Sequence, residues 1–310
     1  MRAKPTIPTA RQLFFPTVPH DAETLEELER RFFGTFRQRN GTYKYTYANR
    51  LDDLNSLVAG LLPSARPLRL MDVAISSGIT TLDWANSLDR LGISYSLTGG
   101  DLNIHAYLLS IGKHLNVLVD RTGYPLQYDV FGHAIPNPPA RRMLPLYLPW
   151  ILLFNSLIPR NIEQWRRTMA PEGEPAGPGR KIGCRPVILV SPRLLQNDHI
   201  ELIEDDLVNN WTIRDRYHVI RAANILNRDY FDEPTLIAIL ANLRRRLVAN
   251  GLLIICSTTG DLSGPSSATS NDGTVFTVGR DGEIKVLSRL RKGSAVEDLV
   301  LGLQPASQST

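Results

Sequence analysis

The stretch LRLMDVAISSGITTLDW, residues 68 to 84, constrains the chain more than any other. Its apolar opening reads as a buried strand, Ser76-Ser77-Gly78 as a tight turn, and Ile79 as the start of a helical pattern. A strand that passes straight into a helix leaves the first helical N–H groups, and the positive end of the helix dipole, aimed at one spot. That corner suits an anionic or polar ligand.

The same alternation continues along the chain. Two amphipathic helices precede the first strand, one with Leu25, Leu28, Phe32 and Phe36 at helical spacing, the other with Leu51, Leu54, Val58 and Leu61. After Gly92, ISYSLTGGDL reads as a second strand ending in Asp101. Downstream, RPVILVSP, HIELIEDDL and YHVIRAANILN read as further short strands. A helix follows, with Pro234 in its first turn, a stripe of Leu236, Ile239, Leu240, Leu243 and Leu247, arginines 244 to 246 in its last turn and Asn250-Gly251 as its close. GLLIICST then reads as a buried strand, and TVFTVGRDGEIKVLSRL as a hairpin turning at Arg280-Asp281-Gly282. The expected fold is α/β: a Rossmann-like, mostly parallel sheet with helices on both faces and a C-terminal antiparallel hairpin. Such sheets bind ligands at the carboxyl ends of their strands.

Composition narrows the function classes. The chain has 310 residues, 43% hydrophobic and 21% charged, with 35 basic against 31 acidic side chains. That is an ordinary globular balance, and its weak positive charge does not point to nucleic acid. Cys184 and Cys256 lie far apart, as expected of reduced thiols in a cytoplasmic protein. The N-terminal twenty residues hold too many prolines and too short an apolar run for a signal peptide. The six histidines lack Cys or carboxylate partners at ligand spacing, so no metal site is expected, and neither a phosphate loop nor a G-x-S-x-G elbow occurs.

Strands, turn acids and terminal hairpin together resemble class I S-adenosylmethionine-dependent methyltransferases. The resemblance covers about residues 66–103 and 186–302. The family pattern D/E-x-G-x-G-x-G reads here Asp72-Val-Ala74-Ile-Ser76-Ser77-Gly78, with only the last glycine kept. It implies cofactor contact at Asp72, Ala74, Ser76, Ser77 and Gly78, a ribose-binding acid at Asp101 beside Leu102, and an adenine-facing acid at Asp205 or Asp206. VIRAANILNRDYF is similar to the fourth-strand segment of chemotaxis-receptor-type methyltransferases, with Asn224 on its asparagine. Direct displacement onto an acceptor depends chiefly on positioning. His105 and Asn224 are the nearest candidates for a catalytic role if a base is needed. Two other readings stay open. An NAD(P)-dependent oxidoreductase would use the same turn and the same acid, and a non-catalytic scaffold would explain Ala74 and Ser76 in place of glycine.

On this plan residues 1–65 form a helical extension, 66–302 the methyltransferase-like domain and 303–310 a disordered tail, with 104–185 an insertion. Within the insertion, NVLVDRTGYPLQYDV reads as a hairpin, the apolar run from Met143 to Ile158 as a lid, a bilayer-surface patch or a homodimer contact, and APEGEPAGPGRK as a linker. The apolar run is shorter than the roughly 20 residues a spanning helix needs, and Pro145 and Pro149 interrupt it. GDLSGPSSATSNDG is expected to be a mobile loop. The acceptor expected is a small molecule or a lipid-linked group.

Overall fold

The computed structural model describes residues 6–37, 44, 46–64, 66–111, 114–138, 144–158, 162, 183–260 and 270–303. The chain separates into two compact units, Met1–Tyr47 with Asn103–Pro192, and Ala48–Leu102 with Arg193–Thr310. The linker read at 170–181 lies outside the described residues, as do 261–269 of the expected loop and 304–310 of the tail.

The second unit is built on a seven-stranded sheet. Its strands are β1 (Leu68–Val73), β2 (Tyr95–Asp101), β8 (Ile200–Glu204), β9 (Tyr217–Ala223), β10 (Leu247–Thr259), β11 (Ser270–Val278) and β12 (Ile284–Leu290), in the order β12-β11-β10-β9-β1-β2-β8. Neighbours from β8 to β10 are parallel, whereas β11 is antiparallel to both β10 and β12. β12 therefore runs with the parallel set, and β11 alone opposes it. The expected hairpin turns through Gly282 at φ 78°.

Successive strand residues supply opposite faces. Met71, Ile220 and Leu253 join one cluster with Leu236, Ile239, Leu240 and Leu243 of α6 (Glu233–Arg246). Leu70, Val219 and Ile254 join the other, with Leu54 and Val58 of α3 (Asp52–Ala59) and Trp84, Ala85 and Leu88 of α4 (Ile79–Arg90). Helices thus cover both faces, the α/β architecture read from the sequence. α4 stops where Gly92 takes φ 64°. Asp232 caps α6 through the Thr235 N–H. That helix ends at Arg246, sooner than Asn250-Gly251, because Leu247 already pairs with Tyr217 and the ladder shifts register before Leu252. α7 (Glu297–Leu301) closes the unit.

The first unit carries a sheet of its own. β3 (His105–Ile111), β4 (Leu115–Asp120), β5 (Pro125–Val130), β6 (His133–Pro136) and β7 (Gly183–Ile188) form an antiparallel sheet in the order β6-β5-β4-β3-β7. The β4–β5 hairpin is the one read from the sequence. RPVILVSP is not a strand of the parallel sheet: its first half belongs to β7, paired with β3. An edge position explains why β7 tolerates Pro186, which has no N–H to give a second neighbour. One sheet face packs Leu108, Leu118 and Leu126 against Phe32 and Phe33 of α2 (Ala22–Gly34) and Leu13 of α1 (Ala10–Phe14). The other packs Leu109, Val117 and Tyr128 against Ile151 and Phe154 of α5 (Leu144–Leu157).

Candidate functional site

The corner between β1 and α4 has a backbone that its side chains do not favour. Ala74, Ser76 and Gly78 all sit in the left-handed region, at φ 56°, 60° and 78°. L-residues with a Cβ pay about 1–2 kcal/mol for that conformation. The three residues alternate, at the positions where the family pattern has glycine, so the loop keeps a glycine-type path without two of its glycines. Strain of this kind persists where the surroundings over-determine it, and it gathers at functional sites.

The end of β2 supplies those surroundings. Ile75 N–H donates to the Gly100 carbonyl at 3.1 Å, and Ser76 N–H donates to Asp101 Oδ2 at 2.8 Å. The Ile75 side chain lies over Gly99, where an added Cβ would meet it at 3.1 Å, so the glycines of SLTGGD serve close packing inside β2. A Cβ at Gly78 would run into the buried side chain of Leu194, from the 3-10 turn Leu194–Gln196. No side chain caps α4. Ser77 is fully buried, and its hydroxyl has no hydrogen-bond partner among the described residues.

Asp72 faces inward. Its carboxylate takes Arg221 Nε at 3.0 Å, Arg221 Nη2 at 2.6 Å and the Thr81 hydroxyl at 2.7 Å. Arg221 also donates to Asn55 Oδ1 and the Thr80 carbonyl, and its guanidinium lies 4.3 Å from the centroid of the Trp84 ring. Asp205 is likewise occupied: Arg246 grips it with both terminal nitrogens, and Asn210 Nδ2 donates to it at 2.9 Å. Its own N–H donates to the Asp101 carbonyl at 3.0 Å, which fixes β8 beside the end of β2. Asp206 caps a local turn. Partial burial works against its charge, yet the donors of Asn209 and Val208 prevail and hold its carboxyl below the usual range.

Asn224 follows β9 at φ 60°. Its Oδ1 accepts from Thr258 N–H at 2.6 Å and its Nδ2 donates to Thr258 Oγ1 at 3.3 Å. The same hydroxyl accepts from Arg50 Nε and donates to Asn271 Oδ1, and Asn271 Nδ2 donates to Asp53. This lattice ties together the carboxyl ends of β9 and β10, and Asn224 is a positioning group within it. Leu102 is exposed beside Asp101. His105 opens β3 in the other unit and is exposed.

The turn therefore brings together residues 74 to 78 with Asp101, while Asp72 and Asp205 are spent on buried ion pairs. Sequence reasoning missed Arg221, Arg246, Thr258 and Asn271, although an arginine inside the apolar run YHVIRAA was a signal for a buried partner. Among the described residues no group of His, Cys, Asp or Glu could hold a metal ion. A separate cleft of about 280 Å³ opens at the amino ends of β1 and β2, between Arg69, Tyr95, His199 and Arg216. It lies at the wrong end of the strands for the corner just described.

No family model matches the chain, and no curated protein matches it. Among solved structures it is similar to the trans-methyltransferase CalH in complex with S-adenosylhomocysteine, at 15% identity and a TM-score of 0.32, over 67% of this chain and 36% of that one. It is similar to the N-methyltransferase NodS of Bradyrhizobium japonicum, also with S-adenosylhomocysteine, at 12% identity and a TM-score of 0.32, over 69% and 64%. A third similarity, at 10% identity and a TM-score of 0.32 over 76% and 62%, is to an S-adenosylmethionine-dependent methyltransferase so described from Methanococcus maripaludis. The chain spans 34% of the citrinin polyketide synthase methyltransferase domain chain, 36% of CalH and 49% of the Galdieria sulphuraria protein that it resembles.

Proposed function

We propose that the seven-stranded unit binds S-adenosylmethionine at the carboxyl ends of β1 and β2, and that the protein is a methyltransferase dependent on it. The observation that carries this reading is the left-handed backbone at Ala74, Ser76 and Gly78. A chain that needed only a corner would relax two of those positions. The residues also fit the group chemically: an uncapped helix start and the orphaned Ser77 hydroxyl suit its carboxylate end. Asp101, already oriented by the Ser76 N–H, suits the paired ribose hydroxyls.

The bound cofactor supplies an electrophilic methyl on a sulfonium sulfur. The chain's part is to orient and to exclude water: residues 74 to 78 let the backbone approach closely, and Asp101 sets the ribose. Asp72 and Asp205 act at one remove, through Arg221 and Arg246, by holding the strands that carry the loop. Displacement onto a small-molecule or lipid-linked acceptor then depends on alignment of the nucleophile.

Isothermal titration with S-adenosylmethionine, S-adenosylhomocysteine and NAD, run in parallel, tests the reading. Selective binding of the two sulfur compounds, weakened about tenfold or more in Asp101→Ala and less in Asp101→Asn, is the expected result. Binding of NAD instead assigns an oxidoreductase. Binding of none leaves a scaffold.

A further inference from the structure

Helix α5 is apolar on the side it buries and on the side it does not. Ile151 and Phe154 pack against the antiparallel sheet at 8% and 0% exposure. On the opposite side Leu146, Leu152, Leu153 and Leu157 are 66%, 59%, 38% and 37% exposed. The sequence LPLYLPWILLFNSL contains no charged residue. A helix at the surface of a water-soluble domain ordinarily carries a polar face here. The bare side extends to the β5–β6 turn, where Phe131, 58% exposed and at φ 52°, meets Trp150 edge-on with ring centroids 5.6 Å apart.

Charge names the occupant. Residues 141–167, which bracket this helix, hold Arg141, Arg142, Arg160, Arg166 and Arg167 against a single acid, Glu163. Their net charge equals that of the whole chain, +4, so the rest of the sequence is balanced. An exposed apolar helix flanked in sequence by a net charge of +4 combines the two attractions that hold a protein on an anionic lipid surface. A second copy of this chain would bring the same basic stretch against itself. At 14 residues the helix is about 21 Å long, short of the roughly 30 Å hydrocarbon core, so it fits along a bilayer and not across it. No described helix is long and apolar enough to cross a membrane.

We propose that the exposed face of α5, continued by Phe131, is a docking surface for an anionic lipid bilayer. The inference is independent of what the seven-stranded unit binds. Its test is co-sedimentation of the full chain with vesicles of phosphatidylglycerol and phosphatidylcholine and with vesicles of phosphatidylcholine alone. Three samples are compared: the parent, Leu152→Glu with Leu157→Glu, and Phe131→Ser, a turn substitution that leaves the helix intact. Thermal unfolding checks that each variant is folded, and light scattering gives the oligomeric state. The expected result is binding to the anionic vesicles at least tenfold stronger than to the neutral ones, lost in the leucine variant and weakened in Phe131→Ser. A parent that stays in the supernatant overturns the proposal. So does sedimentation that both variants retain, and so does a stable dimer that dissociates in the leucine variant without any vesicle binding.

Discussion

Arg221 on β9 stands directly opposite Asp72 on β1, and the two close a two-pronged ion pair with 1% and 3% of their side chains exposed. The pair lies on the two central strands beneath the turn, where it joins β9, β1 and the first turn of α4 into one unit. Burying two charges is costly, and the cost is met here by hydrogen bonds to every prong of the guanidinium. Arg246 and Asp205 repeat the device one strand beyond β2.

Removing one partner leaves the other charged and buried. Asp72→Asn is expected to destabilise the protein by about 3–5 kcal/mol in urea unfolding. Replacing both partners, Asp72→Leu with Arg221→Met, should cost less than the two single changes added, because no charge is left uncompensated. Additive costs in that cycle would mean that the pair carries no coupling and that the network does not hold the turn.

The left-handed turn gives a prediction of opposite sign. Ala74→Gly and Ser76→Gly each relieve a Cβ held at positive φ, a gain partly offset by the greater freedom of glycine in the unfolded chain. Each should raise stability by about 0.5–1 kcal/mol. A loss of stability on either change would mean that the side chain contributes packing that outweighs the strain.

How far the fold could be read depended on separation along the chain. The strand-turn-helix corner, α6 and the terminal hairpin each announce themselves within a few residues through period and punctuation. The corner and the hairpin stand where the sequence places them, and α6 starts at its Pro234 signal but ends at Arg246, before the Asn250-Gly251 stop, because Leu247 is taken by the ladder. The five-stranded antiparallel sheet was legible only in its β4–β5 hairpin. GCRPVI and HAYLLSI are short apolar runs, and such runs look alike whether they pair in a parallel core or at an antiparallel edge. The acids of the corner were visible, but their partners were not: Arg221 lies 149 residues from Asp72, and Arg246 lies 41 from Asp205. Nothing local distinguishes an acid that waits for a ligand from one already held by a distant arginine.

Thr258 is the hub of the lattice that fixes Asn224. Its hydroxyl accepts from Arg50 and Asn224 and donates to Asn271. Thr258→Val keeps the shape and strands these groups, so a loss of about 1–3 kcal/mol is expected. Thr258→Ser, which keeps the hydroxyl, should recover most of it. Equal losses in both variants would assign the effect to the missing methyl packing and not to the hydrogen bonds.

His218, beside Arg69 at the amino ends of the same strands, makes stability depend on pH in a definite direction. Its Nδ1 accepts the Arg69 N–H at 2.9 Å, which requires an unprotonated nitrogen. Burial first, and the Arg69 charge second, push its pKa below the ordinary 6.5. Between 6.5 and that lower value the unfolded chain binds a proton that the folded chain does not, so the contribution is fully present above 6.5 and is lost as pH falls through the folded value. Urea midpoints at pH 7.5 and 5.5 should therefore converge in His218→Gln, whose amide oxygen accepts the same N–H without titrating, while the parent loses stability over that range. A parent and variant with the same pH dependence would show that His218 protonates equally in both states and that the hydrogen bond to Arg69 does not select its neutral form.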